Sequence, residues 1–347
     1  MIFSYVIYAP NIHQGGGKTL LLSILEVLKD RSDILLILDD RLQLDELKLV
    51  CSVIRVKPNI LHRFFLECRL KFIVSNNAKL LSLANLPTLF SSQAVEYVFI
   101  QNRYLVDPSP CLRKFAGRIR LRLIIERYWL KIRASKVSSF IVQNEVMRTL
   151  VKISLNSDSQ VIPFIPSNGI YTKQSKLNRQ TQYDFVYVAS GEPHKNHISL
   201  INAWIILAEK GVYPSLALTL DETDYKELCT LINRAVDEYS LKIVNFGNLS
   251  SSNIRTLYDV SRALVYPSLY ESFGLPLIEA VNHGLPVLAG NSDYILEVIK
   301  PTSLFDATNP TSIANAVISF SFEKASLKAT LFTASEFLHK TIFQGEV

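Results

Sequence analysis

The sequence predicts an α/β protein made of two doubly wound domains. Three observations support this prediction: the length of the chain, the apolar character of its strand-like runs, and the alternation of strands and helices in two successive series. The chain has 347 residues, of which 48% are hydrophobic and 20% charged, so it can form the cores of two domains of ordinary size. Continuous apolar runs are typical of parallel strands that are buried on both faces.

The strand-like runs fall into two groups. Those of the first half are residues 2–9, 34–40, 52–56, 96–102, 139–144 and 160–164. Those of the second half are residues 185–190, 215–220, 243–248, 263–268, 286–290 and 303–307. Helix-like segments such as 222–239 separate them. This order predicts two open parallel sheets, with ligands at the carboxyl ends of the strands.

A polar segment, residues 166–183, interrupts the alternation and has the composition of a linker. We therefore predict one domain over residues 1–165 and a second over residues 184–330, with a cleft between them. The remaining residues, 331–347, are expected to form a helical segment that crosses back to the first domain.

Composition argues against several classes of protein. The longest apolar runs are strand-length, well below the ~20 residues that a transmembrane helix needs, and the first ten residues lack the features of a signal peptide. The six histidines and four cysteines show no metal-ligand spacing. We therefore expect a cytoplasmic protein with free thiols and no metal site.

The positive charge is concentrated in the first half. Residues 1–165 contain 23 Lys and Arg against 13 Asp and Glu, whereas the remainder contains 14 against 18. The densest basic stretch, residues 113–136, alternates Arg and Lys with large apolar residues. As a helix it would either lie on an anionic membrane surface or cover the domain core as a solvated helix. No nucleic-acid-binding module is recognisable, so we expect no nucleic-acid partner.

The stretch NIHQGGGKT, residues 11–19, has the glycines and lysine of a phosphate-binding loop. A Walker A loop would need its first glycine at position 12, which is Ile12. Gly15, Gly16 and Gly17 follow the first strand and precede an apolar helix, where bare backbone and helix N–H groups can approach an anion. The alternative is a simple tight turn.

The stretch ESFGLPLIE, residues 271–279, places two carboxylates around the start of a helix. The letters GLP are typical of a helix start with Pro near its first position. Glu271 is then expected in the preceding loop and Glu279 one turn inside the helix. The helix N–H groups would bind a phosphate, and the carboxylates would accept hydrogen bonds from hydroxyls on either side of it. A nucleotide sugar has this layout.

This stretch resembles the retaining glycosyltransferases of the GT-B fold, in particular family four, or glycosyltransferase group 1. Their hallmark, E-x-F-G-x-x-x-x-E, matches ESFGLPLIE at every fixed position. The resemblance covers the second half and, more loosely, the GGG loop. It implies two Rossmann-like domains and transfer of a hexose-type sugar from a nucleotide-diphosphate sugar to a glycan acceptor, without cofactor or metal. We expect a lipid-linked acceptor in bacterial surface polysaccharide (O-antigen or capsule) synthesis, and an enzyme on the inner face of the plasma membrane.

The resemblance also implies roles for single residues. Glu271 would be catalytic and contact the hydroxyls of the transferred sugar, while Glu279 would bind the ribose. The backbone amides that would hold the sugar and diphosphate are those of Ser272, Phe273, Gly274 and Leu275. The glycines at 15–17 would approach the donor diphosphate and the acceptor.

The segment VYVASGEPHKNHISL, residues 186–200, is similar to the family's strand-loop-helix segment with a diphosphate-binding arginine and lysine. Lys195 falls at the lysine and is the second implied catalytic residue. Ser190 occupies the place of the arginine as a substrate-binding residue. His194 is either a further cation or a helix cap, and residues 245–250 resemble the loop near the nucleobase.

In the first half, many family members place a histidine after the fourth strand, near the transferred sugar. Here the stretch FIQNRYL puts Gln101 or Asn102 at that point, and His13 is a second candidate. A structural or surface role is the alternative for each. Two other functions remain open: a different GT-B reaction, such as that of a phosphorylase or a sugar-nucleotide epimerase, and nucleotide-sugar binding without catalysis.

Overall fold

The computed structural model describes residues 3–345 apart from 45–46, 91–93, 110–111, 113–114, 116, 167–180 and 322. The chain divides into two compact units, Met1–Asn168 with Thr330–Val347, and Gly169–Ala329. Most of the predicted linker, residues 167–180, lies outside the described residues, as do three positions of the basic stretch.

The first unit contains a parallel sheet of seven described strands in the order β3-β2-β1-β4-β5-β6-β7. The strands are β1 Phe3–Ala9, β2 Ile34–Asp39, β3 Ser52–Val56, β4 Val74–Ser82, β5 Val95–Phe99, β6 Ser139–Val142 and β7 Ser159–Val161. The helices are α1 Gly15–Leu28, α2 Ile60–Ile73, α3 Gly117–Arg133 and α4 Glu145–Leu155, joined by α11 Ala334–Lys340 from the carboxyl-terminal segment. Helix α11 packs against α1.

The direction of winding reverses between β1 and β4. Loops after two such strands meet at the carboxyl edge of a sheet, where ligands bind in doubly wound folds. The Asn11 amide of the loop after β1 lies 3.5 Å from the Ala84 carbonyl of the loop after β4. The segment after β1, which leads into the glycines at the start of α1, therefore occupies the expected ligand-binding edge.

Strand β4 is not among the predicted strands, although it lies in the middle of the sheet, between β1 and β5. Its first six residues, VSNNAK, are mostly polar. Asn77 adopts a left-handed φ of 70°, and the pairing with β1 shifts register between Phe3 and Tyr5. The irregularity disrupts the apolar pattern by which a strand is recognised, and only the end of β4 looks like a buried strand.

The second unit contains a parallel sheet in the order β10-β9-β8-β11-β12-β14 and a short antiparallel pair, β13-β15. The strands are β8 Tyr183–Tyr187, β9 Leu216–Leu218, β10 Ile243–Asn245, β11 Ser261–Tyr266, β12 Val287–Gly290, β13 Ile299–Lys300, β14 Ser303–Phe305 and β15 Ser326–Leu327. The helices are α5 His197–Glu209, α6 Lys226–Tyr239, α7 Ser251–Asp259, α8 Leu275–Asn282, α9 Asp293–Val298 and α10 Pro310–Ile318.

In this unit the winding reverses between β8 and β11, which pair directly in parallel. The prediction of two doubly wound parallel sheets is confirmed. All six strands predicted in the second half lie at the predicted places. Within the described part of the chain, no helix has both the length and the apolar character needed to cross a bilayer.

Candidate active site

Two loops meet at the carboxyl edge of the second sheet. The loop after β8 ends in a short 3₁₀ turn, Pro193–Lys195, and the loop after β11 leads into α8. The Leu269 N–H donates a hydrogen bond of 2.8 Å to the His194 carbonyl. Because β8 and β11 are neighbours at the reversal point, two segments about 75 residues apart in sequence form one surface.

Lys195 and Glu271 form an ion pair on this surface. The Lys195 Nζ lies 2.5 Å from the Glu271 Oε1, and the two side chains are only 17% and 15% exposed. The same carboxylate oxygen accepts a 2.8 Å hydrogen bond from the Ser268 hydroxyl and lies 3.4 Å from the Tyr266 hydroxyl. The structure thus brings together the two residues implied as catalytic.

Buried tyrosines of β8, β11 and α9 hold these loops. The Tyr187 hydroxyl donates to the Lys195 carbonyl at 2.7 Å, and the Tyr294 hydroxyl donates to the Ser268 carbonyl at 2.9 Å. Burial raises the pKa of Tyr187 and Tyr266 well above the usual value, so both remain neutral donors. Sequence reasoning missed them because a tyrosine in an apolar strand resembles an ordinary core residue.

Asn196 joins the two loops to a third. Its side-chain amide donates to the Ala307 carbonyl at 2.6 Å and to the Pro267 carbonyl at 3.2 Å. Its backbone φ of 62° is left-handed, a conformation that Asn tolerates better than most residues. This turn directs the chain from Lys195 into α5.

The start of α8 follows Glu271 closely. Gly274 is the N-cap residue with a left-handed φ of 84°, and a Cβ there would come 2.9 Å from the Leu277 Cδ1 and 3.2 Å from the Tyr266 hydroxyl. Phe273 is buried, which anchors the loop. The first amides of a helix have no intrahelical acceptor, so the backbone over 272–275 presents the positive end of α8.

Glu279 lies one turn inside α8, as predicted. Its Oε2 accepts a 3.1 Å hydrogen bond from the Tyr258 hydroxyl of α7. Burial raises the pKa of Glu279, although the Tyr258 hydrogen bond and the charge of Arg255 oppose this rise. The Tyr258 ring packs 5.4 Å from the His283 ring, and the His283 Nδ1 lies 2.9 Å from the Asp259 Oδ1. The contacts between α7 and α8 therefore fix the carboxylate.

Ser190, at the place of the family's arginine, belongs to an acidic network. Its hydroxyl donates to the Glu192 carboxylate. Burial would raise the pKa of Glu192, but hydrogen bonds from Ser190 and Tyr225 outweigh it, and the pKa is lowered overall. A Cβ on Gly191 would overlap the Tyr225 ring, so only glycine fits there. The Glu192 carboxylate therefore lies beside Ser190, the position at which the family resemblance implies an arginine.

His194 stays beside the ion pair. Its Nε2 lies 3.9 Å from the Glu271 Oε1, and its carbonyl also lies 3.3 Å from the Ser268 hydroxyl. Burial lowers the pKa of His194, with Glu271 opposing this effect. The neutral imidazole is therefore favoured at neutral pH, so His194 is a weak substitute for the missing arginine.

In the first unit, the three glycines form the first turn of α1 rather than a loop before it. Gly15 has a left-handed φ of 66°. A Cβ on Gly17 would lie 3.8 Å from the Gln101 Oε1, so Gln101 is close to this turn. Asn102 instead caps a 3₁₀ turn through a 3.0 Å hydrogen bond from the Tyr104 N–H, which is a structural role.

His13 and Asp39 lie near the same edge. The His13 Nδ1 is 3.8 Å from the Asp39 Oδ2. Asp39 is fully buried at the end of β2 and pairs with Arg41 at 2.7 Å. As far as the structure describes the chain, no three His, Cys, Asp or Glu side chains are grouped as metal ligands would be.

The second unit matches a known protein family. Residues 171–329 match the family model described as Glycosyl transferases group 1, which corresponds to nearly the whole of the second unit. The second unit belongs to the glycosyltransferase group 1 family. Its hallmark residues are those that form the start of α8 and its two flanking carboxylates.

Curated relatives match about half of the chain. The O-antigen chain mannosyltransferase B of Escherichia coli is 29% identical over 171 residues, 49% of this chain and 44% of that protein. The O-antigen chain mannosyltransferase RfbU of Salmonella typhimurium is 26% identical over 180 residues, 52% of this chain and 49% of that protein. The matched region thus spans about half the length of these relatives.

Solved structures match over both units. Anabaena HepE in complex with UDP and glucose has a TM-score of 0.69 at 14% identity and covers 91% of this chain and 89% of its own. Sucrose-phosphate synthase from Thermosynechococcus elongatus has a TM-score of 0.66 at 17% identity, with coverages of 92% and 89%. The chain therefore has the GT-B fold, with two Rossmann-like units.

Proposed function

We propose that the protein is a retaining glycosyltransferase that moves a hexose, mannose in particular, from a nucleoside-diphosphate sugar to a glycan of the O-antigen type. The observation that carries the proposal is the Lys195–Glu271 ion pair beside the start of α8. The choice of mannose is supported by the O-antigen mannosyltransferases among the relatives.

Donor binding separates the ion pair, and Lys195 and Glu271 each contact the donor instead of each other. Its diphosphate replaces the Glu271 carboxylate at the Lys195 ammonium and also binds the N–H groups over 272–275. The released carboxylate of Glu271 accepts hydrogen bonds from sugar hydroxyls, and Glu279 accepts one from the ribose. Ser190 contacts the donor through its hydroxyl. In the first unit, the bare backbone of the glycines at 15–17 leaves room for a phosphate or hydroxyl ligand.

Transfer then exchanges one C–O bond for another. The bond between the anomeric carbon and the diphosphate breaks, and the acceptor oxygen bonds to the same face of that carbon. The acceptor proton passes to the leaving phosphate oxygen. Lys195 and the positive end of α8 stabilise the negative charge that develops on the diphosphate. This arrangement needs no metal and no cofactor.

A transfer assay tests the proposal. Nucleotide sugars are first screened by thermal shift, and the hits are incubated with an O-antigen-type glycan acceptor in EDTA. We expect GDP- or UDP-linked mannose to stabilise the protein and to give a product that retains the donor's anomeric configuration by NMR. Inverted product, or a requirement for added divalent metal, would contradict the mechanism. Conversion of the donor sugar in the absence of acceptor would instead identify an epimerase.

The glycine turn gives a separate prediction. Lys18→Ala is expected to leave sugar transfer largely intact, because the turn lacks the first Walker glycine and Lys18 has no Walker role. Gly16→Val is expected to abolish transfer, because a branched side chain would block the approach of a ligand to the exposed backbone. Both variants are assayed for transfer and for ATP hydrolysis. An ATPase activity that disappears in Lys18→Ala would reverse this interpretation.

The acceptor is proposed to be lipid-linked, with the basic stretch 113–136 resting on the anionic inner face of the plasma membrane. Each Lys or Arg near such a surface contributes roughly 1 kcal/mol, and salt screens the attraction. Changing the exposed residues Arg118, Arg120, Arg122 and Lys131 to Gln is expected to remove the preference for anionic over neutral vesicles in co-sedimentation, with donor binding preserved. Arg127 is left unchanged, because its guanidinium donates to the Tyr104 and Asp107 carbonyls. A wild type that is indifferent to lipid charge would refute this orientation.

A further inference from the structure

Helix α3 carries apolar residues on the side that faces away from its own domain. Only Leu123 and Leu130 of this helix are fully buried. The residues that face outward with helical i, i+4, i+7, i+11 spacing are Leu121, Ile125, Tyr128 and Ile132. They are between 55% and 69% exposed. An ordinary solvated helix would be polar on this face.

Helix α2 repeats the pattern with the same spacing. It packs on the sheet through Leu66 and Leu70. Its outward row consists of Leu61, Phe65, Cys68 and Phe72. Leu61, Phe65 and Phe72 are 63% to 82% exposed. Nothing in the sequence distinguishes this helix, because its charge is unremarkable and the exposure of its side chains depends on the fold.

The two helices are neighbours. The Arg63 guanidinium of α2 lies 5.1 Å from the centre of the Trp129 ring of α3. The loop after β4 connects them further, since Glu67 of α2 accepts from the Leu89 N–H at 3.0 Å and Arg133 of α3 donates to the Thr88 carbonyl at 3.2 Å. The two outward rows therefore belong to one surface, here called the α2–α3 face.

Basic side chains surround the apolar rows. At 3.6 residues per turn, Arg118 and Arg122 follow one side of the α3 row. Arg120 and Lys131 follow the other side, and all four are exposed. The two helices together contain nine Lys and Arg against two Glu.

Neither carboxylate weakens this pattern. Glu67 is buried in the domain, and Glu126 is half-buried 3.7 Å from Arg122. An exposed apolar surface flanked by cations and free of exposed carboxylates matches one environment in particular, the boundary between acyl chains and anionic headgroups.

We propose that the α2–α3 face inserts its apolar rows into an anionic bilayer, so that binding has a hydrophobic part in addition to the electrostatic one. The inference rests on the proposed function in one respect only, since a lipid-linked acceptor gives the insertion its purpose. The geometry also assigns α2 to the membrane contact, which the basic stretch alone does not. Insertion of this kind orients the first unit toward lipid without a spanning helix.

Vesicle binding tests the hydrophobic part. Phe65→Ser and Phe72→Ser are compared with Leu231→Ser, a control at an exposed leucine of α6 in the second unit. Each phenylalanine change is expected to weaken binding to phosphatidylglycerol vesicles about tenfold, given the transfer free energy of one large apolar side chain, and the control to leave it unchanged. At about 1 M salt, where the Debye length is about 3 Å, the electrostatic part of binding is screened and the hydrophobic part is expected to remain in the wild type. This residual binding is expected to be lost in the double variant Phe65→Ser/Phe72→Ser.

Depth of insertion is measured by fluorescence. The chain has two tryptophans, of which Trp204 lies in the core of the second unit at 1% exposure. In a Trp129→Phe background, a reporter Phe72→Trp is expected to lose most of its added fluorescence to lipids brominated on the acyl chains. A reporter Leu231→Trp in the same background is expected to lose none.

Three results would overturn the inference: an unquenched reporter at position 72, binding that the phenylalanine changes do not weaken, or a lipid-free dimer in sedimentation that those changes dissociate. The last result would identify a second copy of the chain as the partner. Transfer to a soluble glycan acceptor is assayed in parallel. If the wild-type protein binds lipid but transfers no sugar, only the proposed function is refuted. If it transfers sugar but does not insert into the bilayer, only the membrane role of the α2–α3 face is refuted.

Discussion

Lys195→Ala is expected to lower the turnover of sugar transfer by about 10²- to 10³-fold, the usual loss when one group that stabilises developing negative charge is removed. The ammonium is the cation that the structure holds at the Glu271 carboxylate, at 2.5 Å, and the neighbouring arginine position is Ser190. Steady-state kinetics with the donor identified by thermal shift measure the effect. Lys210→Ala, an exposed lysine at the far end of α5, is the matched control and is expected to keep wild-type turnover.

A second variant separates two consequences of removing Lys195. One is the lost attraction for the donor diphosphate, and the other is repulsion of the diphosphate by the Glu271 carboxylate. Lys195→Ala alone leaves the Glu271 carboxylate without its cation, so part of its effect is repulsion of the diphosphate. In Lys195→Ala/Glu271→Gln that repulsion is absent. We expect the double variant to recover donor affinity relative to Lys195→Ala but not turnover. Turnover within twofold of wild type in either variant would show that the ion pair is not part of the reacting site.

Glu279→Ala is expected to weaken binding of the nucleoside-diphosphate sugar by about 1–3 kcal/mol, or roughly 5- to 150-fold, because a hydrogen bond to a charged acceptor is lost. Turnover at saturating donor is expected to change less, since the ribose is remote from the bond that breaks. Calorimetric titration with the donor measures the affinity. The control is Glu227→Ala, a change at an exposed glutamate of α6. Unchanged affinity would show that Glu279 does not contact the donor.

The same residue predicts how donor affinity depends on pH. Burial raises the pKa of Glu279 above the usual glutamate value, so on acidification its carboxylate takes up a proton earlier than an exposed glutamate would. Affinity that depends on the anion is therefore present at neutral pH and is lost as pH falls through this raised pKa. Tyr258→Phe removes a hydrogen bond that lowers the pKa of Glu279, so the loss is expected at a higher pH in that variant.

Local pattern was sufficient for much of the fold and for the charged residues of the candidate site. Apolar runs predicted two doubly wound parallel sheets, because a strand that is buried on both faces has apolar residues at nearly every position. The run ESFGLPLIE predicted a helix start between two carboxylates, since the glycine and proline that begin a helix are local signals. Strand β4 escaped prediction because Asn77 and a register shift interrupt its pattern.

Contacts between distant segments were decided only by the tertiary structure. Nothing local in the sequence pairs Lys195 with Glu271, or gives Tyr187 and Tyr294 the carbonyls of the loops they hold. These contacts arise because the chain reverses its winding between β8 and β11. The exposure of Phe72 was equally hidden, because an apolar residue in a helix is expected to be buried until the neighbours that would cover it are known. The sequence by itself thus determined which groups can bind charge and hydroxyls, and the packing of the sheets decided which of them meet.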